Sequence, residues 1–289
     1  MKVLVTGAAG QLGTDVVSLF REAGHSVIAC DRATLDITDQ SACFTILNKY
    51  KPDAVIHCAA YTAVDLAEQE VDAAYMINAV GTRNMVLASE RIGAKFCYIS
   101  TDYVFDGSSE YPYHEYDNTN PRTIYGKSKR AGENLVQSLS SAYFIVRTSW
   151  VYGLHGKNFV KTMLRLAGER PEIKVVNDQH GSPTYTVDLA KFLLELIETE
   201  KYGIYHASNT RACTWYEFAE AIFAEAQSIT ARSYSVKVLP CTTEDFPLPA
   251  PRPRNSVMEH LSIRTNGLTD LRPWREGLHD FLMEYLSEK

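Results

Sequence analysis

The chain has 289 residues, 45% hydrophobic and 22% charged, which suits one large globular domain or a large and a small one and excludes a disordered chain. Its formal net charge of −6 gives no reason to expect nucleic acid or an anionic membrane as partner, and no apolar run approaches the roughly 20 residues of a membrane span. The first residues lack the basic start and long apolar stretch of a signal peptide, and the six cysteines (30, 43, 58, 97, 213, 241) form no Cys-x-x-Cys, so a cytoplasmic protein is expected, with Cys30, Cys58 and Cys97 as reduced core thiols. The eight histidines have no metal-binding spacing, and no zinc site is expected.

Lys2 to Thr6 is a short, β-branched apolar run, and Gly7-Ala8-Ala9-Gly10-Gln11-Leu12-Gly13 follows at once. An amphipathic helical pattern then runs from about 11 to 23 and stops at Gly24. Strand, glycine turn and helix together are the context in which such a motif binds a dinucleotide. Gly7 would make the tight turn and Gly10 would admit the pyrophosphate. Gly13 would bring helix and strand close, with phosphate at the helix N-terminus. A second strand, Ser26 to Cys30, ends in Asp31, where a carboxylate would take the ribose hydroxyls. The neighbouring Arg32 could instead face a 2′-phosphate, so NADH and NADPH both stay open.

Strands continue at 53–58, 95–100 and 142–148, with helical patterns between them at about 39–49, 67–91 and 123–138. This alternation predicts an α/β fold with a doubly wound parallel sheet, in which ligands gather beyond the carboxyl ends of the strands. Gly7 to Gly13, Asp31, Ala59-Ala60-Tyr61, Ser100-Thr101 and Ser149-Trp150 all fall at such ends. After Trp150 the regularity loosens; 175–184 is rich in turn formers, and a helix near 186–198 is expected to return to the main sheet. The stretch 240–255 holds five prolines and two arginines, Arg252 and Arg254. It reads either as a connector or as a substrate-covering loop with both arginines facing phosphate. The boundaries expected are a dinucleotide-binding domain over 1–150, with a returning segment near 183–200, and a smaller substrate domain over 151–182 and 201–289.

Tyr125-Gly-Lys-Ser-Lys129 places a tyrosine and a lysine four residues apart, on one helix face. A lysine ammonium beside a phenol would favour the phenolate, so the pair reads as an acid–base device.

With these stretches in view the whole chain resembles the extended short-chain dehydrogenase/reductases. The resemblance also rests on Leu35-Asp36-Ile37-Thr38-Asp39, Ala59 to Asp65, Ser100 to Gly107, Arg147 to Gly153, Gly181 to Thr184 and Arg252 to Ser256. It implies a Rossmann-type sheet with a smaller C-terminal α/β substrate domain, and NAD(P)H-dependent reduction of the 4-keto group of dTDP-4-dehydro-L-rhamnose to dTDP-L-rhamnose. In that reading Tyr125 protonates the developing alkoxide and Thr101 hydrogen-bonds the same oxygen. Lys129 holds the nicotinamide ribose and keeps the tyrosine acidic. Gln11 and Leu12 belong to the phosphate loop, and Asp36, Ile37, Ala59, Ala60 and Tyr61 contact adenine, ribose and nicotinamide. Asp102, Tyr103, Trp150 and Arg252 line the substrate pocket.

Some members of that family are similar to dimers held by magnesium on acidic side chains. Asp15 and Asp188 lie near the corresponding places, with no third ligand in view, so a magnesium ion and a homodimer stand against a plain reading as solvated carboxylates. Three other activities share the pattern. A dehydratase would need an acid after Thr101-Asp102, where this chain has Tyr103; an epimerase would show no net oxidation of cofactor. A non-catalytic regulatory subunit resembling that of methionine adenosyltransferase would carry a degraded catalytic set, whereas Thr101, Tyr125 and Lys129 are all present.

Overall fold

Six parallel strands build the central sheet: β1 (Lys2–Thr6), β2 (Ser26–Cys30), β3 (Ala54–His57), β4 (Lys95–Thr101), β5 (Tyr143–Thr148) and an edge strand at Gly203–His206. The computed structural model describes residues 1–230 and 234–287. The strand order is Gly203–His206, β5, β4, β3, β1, β2. The chain therefore steps from β1 to β2 on one side and resumes at β3 on the other. That reversal opens a crevice at the carboxyl ends of β1 and β3.

Strand residues alternate between two covered faces, as a sheet buried on both sides requires. Val3 and Val5 pack with Val16 and Phe20 of helix α1 (Gln11–Glu22), and with Leu189 and Leu193 of the helix Thr186–Ile197. Leu4 points the other way, into a layer with Cys43, Leu47 and Val86. Asp39 starts the helix Gln40–Tyr50 by accepting hydrogen bonds from the Ser41 and Ala42 amides, each left without an intrahelical partner. A third apolar cluster, with Tyr152, Phe218, Trp274 and Phe281 at its centre, forms the smaller unit beyond the sheet edge.

The structure departs from the sequence reading in three places. Gly203–His206 lies in the main sheet, parallel to β5, although 201–289 was expected to lie wholly in the smaller unit. Ile263, Leu268 and Leu271 also pack into the core with Val3 and Val5. The strand has only four residues and pairs on one side, so its pattern is too short to declare itself. The helix expected over 67–91 is instead Val64–Ala67, Val71–Tyr75, a π-helical segment Met76–Gly81 and Thr82–Arg91. Within the wide turn, Asn78 turns its side chain to the Tyr61 backbone and to Ser128. Finally, Pro240 sits inside a strand, Lys237–Cys241, which among the described residues pairs only with Glu172–Val176; an edge tolerates its missing N–H.

Candidate active site

Backbone lies on backbone at the first turn. Gly7 has φ of +63°, and a Cβ there would stand 2.7 Å from the Ala59 amide nitrogen. A Cβ on Gly13 would stand 2.1 Å from the Gly7 carbonyl oxygen. Only glycine lets the turn, the loop after β3 and the start of α1 meet this closely. No side chain caps α1, so its first amides are open to an anion in the crevice. The cradle fits a dinucleotide pyrophosphate. Gln11 borders the same crevice but spends its side chain elsewhere: it donates to the Val151 carbonyl at 3.4 Å and accepts from Asn158 at 2.8 Å. It thereby ties the phosphate loop to the segment after Trp150.

Asp31, Arg32, Asp36 and Ile37 line the far end. The Asp31 carboxylate is engaged by its own turn, accepting from the Ala33 and Thr34 amides and the Thr34 hydroxyl. Arg32 is exposed and forms no ion pair among the described residues. Asp36 likewise accepts from the Thr38 amide and hydroxyl, and Ile37 is buried. Ala59 and Ala60 border the crevice, whereas Tyr61 does not; its hydroxyl donates to Glu70 at 2.8 Å, and its amide to Asn78.

β4 delivers Thr101 and Asp102 to the middle of the crevice, and the helix Ile124–Leu139 brings Tyr125 and Lys129 to meet them. Thr123 caps that helix through the Gly126 amide at 3.0 Å. Gly126 faces the turn after β4 so closely that a Cβ would lie 2.2 Å from the Tyr103 carbonyl oxygen. The Tyr103 and Tyr125 rings meet edge to face at 5.6 Å. One turn on, Lys129 donates to the Ile99 carbonyl at 2.6 Å, with its ammonium 4.0 Å from the centre of the Tyr98 ring. A further turn on, the buried Glu133 accepts from Arg147 through both oxygens at 2.9 Å, and from Ser100 at 2.6 Å. This bidentate pair fixes the rotation of the helix on the sheet.

The electrostatics correct one expectation. Desolvation pushes the Tyr125 phenol up to about 12, against a lowering by the Thr101 hydroxyl, and the Asp102 carboxylate adds to the rise. Desolvation brings Lys129 down to about 7, although Glu133 opposes it. Burial thus raises Tyr125, and it is held as a neutral phenol, the form a proton donor needs. Asp102 is buried and pushed up to about 6, chiefly by desolvation. It accepts a hydrogen bond from the Thr101 hydroxyl at 2.9 Å, and its second oxygen is buried.

The substrate side of the crevice is walled by Trp150, whose φ of 48° is a strained value for a bulky residue. Its indole stacks on Trp215 with centroids 3.6 Å apart. A Cβ on Gly181 would lie 2.5 Å from the indole, so the glycine of Gly181-Ser-Pro-Thr184 makes room for this ring. Arg252 also lines the crevice, and it forms an ion pair with Asp65 at 2.6 Å. Arg254 does not: it is exposed, and its carbonyl accepts from the His180 amide. The whole crevice encloses about 1430 Å³ and continues past Trp215 to Arg170, Lys174, Phe246 and Leu248, none of which the sequence reading had singled out. Trp215 lies 65 residues beyond the ring it stacks on, and no local signal joins them.

The magnesium expectation does not fit these side chains. Asp188 is engaged by Arg272 and Asn209, and the Asp15 carboxylate lies 3.6 Å from the His155 ring. Among the described residues no group of three His, Cys, Asp or Glu side chains is placed to hold a metal. No helix among them is long and apolar enough to cross a membrane.

Residues 1–287 match the family described as RmlD substrate binding domain. The chain belongs to this family. It is 47% identical to the spore coat polysaccharide biosynthesis protein SpsK of Bacillus subtilis, over 99% of this chain and 98% of that protein. It is 43% identical to the dTDP-4-dehydrorhamnose reductase of Aggregatibacter actinomycetemcomitans, over 96% and 97%. Among solved structures, dTDP-4-dehydrorhamnose reductase from Bacillus anthracis in complex with NADP superposes with a TM-score of 0.94 at 49% identity, covering 98% of this chain and 100% of that one. A UDP-glucose 4-epimerase from Thermus thermophilus, 20% identical with a TM-score of 0.83, shares the Rossmann-type fold alone. Membership of the RmlD family accounts for the doubly wound sheet and for an NAD(P)-binding crevice that runs into a second unit.

Proposed function

We propose that this protein reduces the 4-keto group of dTDP-4-dehydro-L-rhamnose to give dTDP-L-rhamnose, with NADPH as the preferred reductant. The observation that carries this reading is the meeting of Thr101, Tyr125 and Lys129 in one crevice with the Gly7–Gly13 turn, in a chain closely related to enzymes bearing that activity's name. The cofactor supplies a hydride to the carbonyl carbon when bound. Tyr125, kept neutral by its surroundings, gives its proton to the oxygen as negative charge develops there. Lys129, anchored on the Ile99 carbonyl, presents its cationic end toward the nicotinamide ribose. Thr101 can hydrogen-bond the reacting oxygen once its hydroxyl turns from Asp102. Trp150 and Arg252 wall the space for the sugar nucleotide.

NADPH is favoured because Arg32 stands exposed at the crevice with no ion pair among the described residues, free to meet a 2′-phosphate, while one oxygen of Asp31 is held by its own turn. The test is turnover of the nucleotide sugar with each cofactor. Arg32→Ala should raise the KM for NADPH about tenfold or more and leave that for NADH within about twofold. Equal losses with both cofactors would remove Arg32 from cofactor choice. Turnover of a UDP-linked 4-keto sugar in preference to the dTDP-linked one would overturn the substrate assignment.

A further inference from the structure

One ion pair crosses between segments 187 residues apart and stands at the crevice wall. Asp65 lies in the first turn of the short helix Val64–Ala67, after the loop that carries Ala59 and Ala60. Both its oxygens are used: one accepts from Arg252 Nη2 at 2.6 Å, the other from the Ala250 amide at 3.1 Å. Arg252 Nη1 closes the ring by donating to the Ala250 carbonyl at 2.9 Å. A single carboxylate thus fixes both the backbone of the proline-rich strap and the guanidinium it carries.

The strap is tied at its other end as well. The Thr243 amide and hydroxyl donate to Asp178, and Gln179 donates to the Thr243 hydroxyl. Between these ties Phe246 and Leu248 line the crevice while keeping large exposed surfaces. Three residues beyond Asp65, Glu68 accepts from the Ile124 amide at 2.8 Å, next to Tyr125. One short element thereby sets the register of the strap against the proton-donor helix.

We infer that Asp65 is a positioning residue for the nucleotide-sugar site, orienting the Arg252 guanidinium and holding the 243–252 strap at the crevice. A guanidinium has five N–H donors, and the bonds to Ala250 and Asp65 leave others free to meet the oxygens of a diphosphate. Held by Asp65, the fork keeps one orientation before the ligand arrives, so less ordering remains to be done on binding. The inference rests on the proposed nucleotide-sugar reading, and it assigns Asp65 no contact with the cofactor.

The experiment is a double-mutant cycle read by steady-state kinetics with the dTDP-linked sugar, alongside NADPH affinity by fluorescence titration and thermal melting. Asp65→Ala should raise the KM for the nucleotide sugar about tenfold, change kcat less than about threefold and leave NADPH affinity within twofold. Asp65→Glu, which restores the charge, should recover part of the loss. In an Arg252→Ala background, Asp65→Ala should add less than the tenfold it costs alone, because of its two bonds only the one to the Ala250 amide remains to be lost. Losses that multiply in full in the double variant, or an unchanged KM in Asp65→Ala, would overturn the positioning role. Wild-type KM in Arg252→Ala alone would overturn the substrate contact of Arg252, and the inference with it.

Discussion

Gly126 offers a way to move the catalytic helix without touching a reacting group. A Cβ added there would stand 2.2 Å from the Tyr103 carbonyl oxygen, where real Cβ contacts stay beyond 3.0 Å. In Gly126→Ala the helix and the turn after β4 must separate by about 0.8 Å to relieve the overlap. Neither side yields easily. Glu133 is pinned to Arg147 and Ser100 at one end of the helix, and Thr123 caps the other. Alanine is the better helix former by about 1 kcal/mol, while overpacking costs about 1–3 kcal/mol, so net stability should fall by no more than about 2 kcal/mol. Turnover should suffer more. Tyr125 precedes the substituted residue, and a displacement near 1 Å at a reacting group can cost about 100-fold. The assay is kcat with saturating NADPH and sugar nucleotide, beside a melting curve and an NADPH titration. A kcat within threefold of wild type in a folded protein would refute the claim that this contact sets the position of Tyr125.

Tyr125→Phe should lower kcat about 1000-fold with NADPH affinity within twofold, as expected for loss of a proton donor; equal turnover would end that assignment. Lys129 bears on stability as well as on turnover. Desolvation holds it near 7 against an ordinary 10.5, so below pH 7 it is charged in both states and the folded chain bears the full cost of burial. Between about 7 and 10.5 only the unfolded chain keeps that proton, and stability should rise with pH across this window. The shift sets an upper bound of about 5 kcal/mol, reduced by the lost bond to Ile99 and the contact with Tyr98. Lys129→Met should therefore be inactive yet melt at least about 2 °C higher at pH 7, with a flatter dependence on pH; a lower melting temperature would contradict the buried-cation account. Gly181→Ala should push the Trp150 indole off Trp215, changing tryptophan fluorescence and raising the KM for the nucleotide sugar several-fold at near-constant NADPH affinity. An unperturbed spectrum would show that the stack has room to spare.

Much of the cofactor half was legible because its signals are local. Gly7, Gly10 and Gly13 fall between a strand and a helix that each declare themselves by periodicity, and Tyr125 and Lys129 share one helix face by spacing alone. The features that escaped depend on distant neighbours. Gly203–His206 becomes a strand only because β5 offers an open edge, and Trp215 becomes part of the site only through the ring of Trp150. Asp65 stood inside a recognisable stretch, but its partner lies 187 residues further along the chain. The expected acidification of Tyr125 failed for a related reason. Helical spacing places a lysine near the phenol, whereas the protonation state follows from burial, which the tertiary fold decides.

The most direct test of the proposed activity is to add dTDP-4-dehydro-L-rhamnose to the protein with NADPH, follow the loss of reduced-cofactor absorbance, and identify the product by mass spectrometry. One equivalent of NADPH oxidised per sugar, with a product heavier by two hydrogens, is the expected result. Binding of NADPH with no oxidation, or turnover that returns an isomer of unchanged mass, would contradict a reductase.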